Sequence, residues 1–201
     1  MAALALAACA PKAPPLVGTP APAYLPPIEL PPIPRRITFN WEATDADLIV
    51  RGEGLARMTR PDSARVDLFL AGGFGSGTAW LLGDTILVPG VPMVRRYLPP
   101  PPMLWAAFGR LAVPGAADTV VRVDGDTLRA DIGRDPRWRI TIAKEQLVRL
   151  EYIVGERRRS WVVRAPSGRI HYRDEDARRT LTITPTAVEE TGPLDATIWP
   201  R

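Results

Sequence analysis

The sequence predicts a mainly β domain: one antiparallel sheet of about eleven strands, with a single apolar helix in mid-chain packed on its apolar face. Three observations lead there. From Arg35 onward, apolar and polar residues alternate with the period of a strand half-buried on one side. Turn signals at Gly72-Gly73, Gly83-Asp84, Asp124-Gly125-Asp126 and Pro166-Ser167-Gly168 separate the runs at short intervals, as hairpins in a meander require. One stretch, Tyr97 to Leu111, breaks the alternation. The length of 201 residues, with 46% hydrophobic and 24% charged composition, suits one domain plus a tail.

The first nine residues, Met1 to Cys9, read as a partial lipoprotein signal. MAALALAA is small and apolar, and Leu6-Ala7-Ala8-Cys9 matches a bacterial lipobox, in which the cysteine receives a diacylglyceryl group. Cys9 is therefore the expected lipidation site; the other reading is an alanine-rich cytosolic start. Residues 10–34 follow as a linker expected to be disordered. Ten of the chain's 23 prolines fall between Pro11 and Pro34, a density that blocks helix and sheet and favours polyproline II. Such a spacer could reach up to roughly 75 Å from an anchor.

The body, 35–201, begins with Ile37, Phe39 and Trp41 alternating against Thr38 and Asn40. Val66, Leu68 and Leu70 share one strand face. Trp138, Ile140 and Ile142 oppose Arg137, Arg139 and Thr141, and Val148, Leu150, Tyr152 and Val154 form a further run. Leu181 and Ile183 between Thr180, Thr182 and Thr184 give the cleanest alternation. In the exceptional stretch, Leu98 and four prolines (Pro99–Pro102) lead into a helix expected over Met103–Leu111. Leu104, Phe108 and Leu111 recur at i, i+4, i+7, and Trp105 adds bulk beside them. This helix is either a plug filling the sheet's apolar face or a lid over a lipid-sized cavity.

Taken in order, the lipobox, spacer, meander and mid-chain helix resemble the LolA/LolB superfamily of periplasmic lipoprotein carriers, and more narrowly a LolB-like outer-membrane lipoprotein family. The matching residues are Phe39-x-Trp41-Glu42-Ala43, Arg51-Gly52-Glu53-Gly54, Asp62 to Phe69, and Leu98-Pro99-Pro100 through Leu104-Trp105-Ala106-Ala107-Phe108-Gly109, within roughly Arg35 to Arg201. The resemblance implies a curved, incomplete half-barrel whose concave face receives acyl chains under the helix. It assigns Leu98, Met103, Leu104, Trp105, Phe108 and Leu111 to the lipid-binding lid. It also implies an apolar residue on a hairpin tip that assists transfer to the membrane, and here that is Phe74 in Gly72-Gly73-Phe74-Gly75-Ser76-Gly77. A ring flanked by glycines has little to pack against, although it could also fold back on its own sheet.

Chemistry is hard to build from this inventory. One cysteine and one histidine exclude a disulfide framework and a Cys/His zinc site, and no phosphate loop or G-x-S-x-G elbow is present. His171 is expected to be exposed, and Asp174-Glu175-Asp176 lacks the spacing of an EF-hand. The net charge of +4 comes from scattered arginines without a nucleic-acid motif, so they read as a solvated face and no nucleic-acid partner is expected.

The expectation is a non-enzymatic, cofactor-free monomer anchored to the inner leaflet of the outer membrane and facing the periplasm. Its ligands would be acyl chains or lipoproteins, with a periplasmic carrier protein as candidate donor. Ala10, in place of an aspartate retention signal, points to the outer membrane. The alternative is a structural or assembly lipoprotein with a plugged core and protein partners only.

Overall fold

A computed structural model describes residues 12–46, 48–73, 75–90 and 92–200 of the chain. Met1 to Cys9 and the hairpin-tip residue Phe74 lie outside the described residues. The strands are β1 (Thr19–Ala21), β2 (Arg35–Asp45), β3 (Leu48–Thr59), β4 (Ser63–Leu70), β5 (Ser76–Leu82), β6 (Thr85–Leu87), β7 (Thr119–Asp124), β8 (Thr127–Ile132), β9 (Arg137–Ala143), β10 (Gln146–Val154), β11 (Arg157–Arg164), β12 (Ile170–Asp174) and β13 (Arg179–Glu190). Two short helices, α1 (Pro92–Tyr97) and α2 (Pro101–Ala107), stand between β6 and β7.

All thirteen strands form one antiparallel sheet that does not close into a barrel, in the order β1-β7-β8-β9-β10-β11-β12-β13-β2-β3-β4-β5-β6. The predicted meander is present, with two strands more than the eleven expected. The additional elements are three-residue strands, too short to show alternation. One non-local pairing joins the meander's two halves: β13 lies against β2 from Arg179↔Asp45 to Glu190↔Arg35. Pro185 sits there at a register shift, where its missing N–H costs the ladder least.

Alternation divides the two faces. The inner face carries Phe39, Trp41, Ala56, Met58, Val66, Leu81, Ile140, Ile142, Leu150, Val162, Leu181 and Ile183, all buried in one core. The outer face carries paired charges. Asp67 accepts bonds from Arg57, Arg65 and Thr78, and Arg65 and Trp80 both donate to the Ile198 carbonyl, docking the C-terminal turn.

Residues 12–34 depart from the expected free linker. Lys12 bridges to Arg157 and Ala13 N–H donates to the Glu156 carbonyl at 2.8 Å, so the segment starts against the β10–β11 turn. It continues past Arg139, which donates to the Pro14 carbonyl, and then forms β1 along the outer edge of β7. From there it passes to the inner face, where Leu30 is 1% exposed in the core. Prolines lack N–H donors but keep their carbonyls, and their neighbours' carbonyls are equally free, so the segment offers acceptors to donors on the body. Arg122 donates to Gly18, Arg60 to Leu30, and the Leu111 and Thr191 amides to Ile28 and Pro34. Pro20 is tolerated because β1 is an edge strand.

If this strap is part of the fold, Leu30→Ala should lower unfolding free energy in urea by about 2–5 kcal/mol. A change within about 0.5 kcal/mol would return residues 12–34 to the status of a surface tail.

Candidate functional site

The mid-chain segment is two helices rather than one. The first begins with Pro92 at its first position and places Arg95 and Arg96 in its last turn, a favourable arrangement for the helix dipole. Arg96 forms an ion pair with Asp45 at the end of β2, and Arg179 reaches both Asp45 (3.3 Å) and the Arg96 carbonyl (3.3 Å). Asp45 thereby ties α1 to the β2–β13 pair. Burial opposes its ionisation, but bonds from Arg96 and Arg179 outweigh that and hold its carboxyl below the usual range.

The second helix ends earlier than the Met103–Leu111 span expected, because Gly109 adopts φ of +88°. The Gly109 amide donates to Ala106 at 3.0 Å and the Arg110 amide to Trp105 at 2.9 Å, a Schellman ending that only glycine enters without strain. The Arg110 guanidinium lies 4.9 Å over the Trp105 ring and completes this C-cap.

Between these helices and β2, β4, β5 and β13 lies an apolar cavity of about 200 Å³. Its floor is Phe39 and Trp41 from β2, Val66, Leu68 and Leu70 from β4, and Leu181 and Ile183 from β13. Val94, Tyr97, Leu98, Leu104 and Phe108 roof it. Two glycines shape it. A Cβ at Gly54 would stand 2.3 Å from the Phe39 ring, and one at Gly77 would stand 2.3 Å from Val94. The Trp41 indole N–H donates to the Glu53 carbonyl at 2.9 Å, which leaves its ring face to the cavity. Apolar cavities near 150 Å³ stay dry and accept small hydrocarbons, so this one suits an alkyl segment better than water. Gly75, Ser76 and Gly77, at the start of β5, form part of its wall.

The six lid residues implied by the resemblance divide. Leu98, Leu104 and Phe108 line the cavity. Met103 and Trp105 are fully buried against the sheet instead, with the Trp105 indole N–H donating to the Gly83 carbonyl at 2.6 Å. Leu111 packs with Leu25 and Ile28 of the strap in a separate surface groove. Sequence reasoning recognised the floor residues as strand alternation without marking them as a site. It missed Val94, and it named Tyr97 only as the start of the exceptional stretch, although Pro92 before Val94-Arg95-Arg96-Tyr97 was a usable helix-start signal.

His171 is half-buried rather than exposed. Its Nδ1 lies 3.1 Å from Thr182 Oγ1, its ring stands 5.1 Å from Trp161, and burial pushes its pKa down. The acidic turn is neutralised by arginines: Arg159 pairs with Asp176 and Arg173 with Glu175, while Asp174 accepts from the Ala177 amide. Among the described residues no group of three or more His, Cys, Asp and Glu side chains converges as a metal site.

Because the folded Asp45 titrates below its unfolded value, the tie to α1 contributes stability above about pH 4 and loses it as pH falls through the folded pKa. Thermal denaturation should therefore find Asp45→Asn less stable than the parent at pH 7, with the gap narrowing on acidification. A gap independent of pH would contradict the ion-pair account.

No family model matches the chain, and comparison with curated proteins gives no match. Solved structures do match its fold. A LolA superfamily protein from Nitrosomonas europaea superposes with a TM-score of 0.52 over 87% of this chain and 93% of its own, at 12% identity. A structure described as an outer membrane lipoprotein-sorting protein domain, from Vibrio parahaemolyticus, gives a TM-score of 0.53 over 84% and 90%, at 5% identity. The open antiparallel sheet with helices across its inner face is thus the LolA/LolB-like fold.

Proposed function

We propose that the chain is a lipid-anchored periplasmic protein that takes up an acyl chain, free or on a lipoprotein, in the cavity beneath α1 and α2. It would assist localisation of that cargo to the outer membrane. The observation that carries this reading is the cavity itself: about 200 Å³, walled by apolar side chains and roofed by two short helices. The fold it shares with a described lipoprotein-sorting domain supports the same direction. Anchoring through Cys9, placement at the periplasmic face of the outer membrane, and membrane transfer assisted by Phe74 are parts of the proposal. Uptake would need no bond chemistry; burial of apolar surface, about 25 cal/mol per Å², supplies the affinity.

A second reading has its own support. Met103, Trp105 and Leu30 already fill much of the inner face. A permanently filled sheet would make the protein a structural lipoprotein with protein partners only.

Titration with parinaric acid, an intrinsically fluorescent fatty acid, separates the two. Saturable binding that falls at least about tenfold in Val66→Phe, a substitution that fills the cavity, supports uptake, provided the variant's melting temperature is preserved. Absence of saturable binding in the parent favours the structural reading. Phe74→Asp should slow transfer of the bound fatty acid to vesicles while leaving equilibrium binding unchanged; an unchanged transfer rate would remove Phe74 from that role.

A further inference from the structure

We infer that three neighbouring hairpin tips, together with α1, form a docking surface for an anionic lipid bilayer, against which the strap holds the body. The inference rests on the proposed lipidation of Cys9 only for the tether, not for the surface.

Antiparallel alternation places the β10–β11, β12–β13 and β2–β3 turns at the same end of the sheet, and the strands that bear them are near neighbours in its order. The three tips are tied together. Arg159, on β11, pairs with Asp176 in the β12–β13 turn, and Arg179, at the start of β13, pairs with Asp45 at the end of β2. Arg96 adds α1 to the same group through Asp45.

The β2–β3 tip has no evident use within the fold. Pairing of β3 with β4 starts only at Gly52↔Leu70, so residues 48–51 project beyond that neighbour. At the projecting end Leu48 is 55% and Ile49 53% exposed, two adjacent large apolar side chains facing solvent. At the same end of the sheet stand Arg95 on α1, Arg178 in the β12–β13 turn and, four strands along from β3, Arg157 at the start of β11. All three are exposed, and none has a carboxylate within ion-pairing distance among the described residues. Most other arginines of the body do have such a partner. Apolar residues at one end of a sheet, with cations there that lack a carboxylate partner among the described residues, are what the interface of an anionic membrane accepts: side chains enter the headgroup boundary while guanidinium groups meet phosphates. Asp47 of this tip lies outside the described residues.

The strap supplies the second argument. Lys12 is fixed at this same end, bridged to Arg157 and ion-paired with Glu156 at 2.7 Å. Only Ala10 and Pro11 separate it from Cys9. An acyl anchor on Cys9 would thus hold the body at the bilayer, with these tips nearest the headgroups, in place of a long reach. The cavity wall at Val94, Tyr97 and Leu98 belongs to α1 and the residue after it, so this surface also lies beside the route by which a chain would pass between cavity and membrane.

The test uses the full chain carrying Cys9→Ser, so that no acyl anchor contributes, and flotation with vesicles of phosphatidylglycerol and phosphatidylethanolamine. Binding is expected to the anionic vesicles, to weaken with salt, and to be absent from phosphatidylcholine vesicles. Both L48D/I49D and R95E/R157E/R178E should lower the partition coefficient about tenfold or more, with unchanged melting temperature. An exposed apolar pair outside these tips, Ile33 of the strap and Val188 of β13 (I33D/V188D), should leave it unaltered. No binding by the parent overturns the inference, including the case in which this surface serves a protein partner. Equal losses in the rim and control variants overturn it too. Parinaric acid binding in the same proteins keeps the two proposals apart. Docking without fatty-acid uptake would leave this surface standing and remove the carrier reading, whereas uptake without docking would do the reverse.

Discussion

The indole of Trp105 is fully buried, and its N–H reaches the Gly83 carbonyl at 2.6 Å. That contact fixes one side of α2 to the β5–β6 turn near one end of the strand order, while the helix otherwise packs on β10, β11 and β12 near the middle. An open sheet of thirteen strands has an apolar inner face that nothing in the ladder covers, and a helix bridging its two arms is the shortest cover available. A buried indole without an acceptor would cost about 1–3 kcal/mol, so the turn carbonyl also sets where the helix must lie. The Schellman ending at Gly109 then directs the chain away from the sheet after only seven helical residues. Because α2 is short, it packs chiefly over β10–β12, and over β2, β4 and β13 it contributes only Leu104 and its C-cap Phe108 beside α1. The cavity is what that division leaves.

Arginine and proline enrichment are two sides of one arrangement. A proline-rich strap has many carbonyls and few amide donors, so it cannot form a regular ladder with a sheet. Arg60, Arg122 and Arg139 each donate to one of its carbonyls, and β1 meets β7 as a three-residue edge. The strap covers the free edge of β7, which would otherwise present unpaired groups, and brings Leu30 into the core. Most of the arginines thus serve intramolecular acceptors, among them cross-strand carboxylates such as Asp67, Asp131 and Glu151.

Local pattern made the sheet legible. Thr180 to Thr184 alternates along β13 as the sequence predicts, and the Tyr97–Leu111 stretch departs from alternation where α2 stands. Non-local pairing was not legible. Nothing near Arg179 or Asp45 announces that β13 joins β2, yet this pairing sets Leu181 and Ile183 beside Phe39 and Trp41 to make the cavity floor. The strap was misread for a physical reason: proline density reports the loss of ladder donors, whereas Leu25, Ile28 and Leu30 among those prolines report burial. His171 was read from the polar side of its strand, and the packing of Trp161 beside it depends on a neighbouring strand. Of the lid residues, the i, i+4 pair Leu104 and Phe108 faces the cavity. Trp105, one position along, points to Gly83 instead, a distinction of helix phase that pattern alone does not resolve.

The central claim is that the space beneath α1 and α2 is an acyl-chain site. Native mass spectrometry on the full chain, purified from the membrane fraction without harsh detergent, tests it most directly. The account predicts a population heavier by the mass of one phospholipid or fatty acid, and its loss when Leu104 and Phe108 are both changed to glutamine in a protein that still melts cooperatively. A protein that stays at its own mass through purification and after incubation with lipid would contradict the claim and leave the filled, structural sheet as the better account.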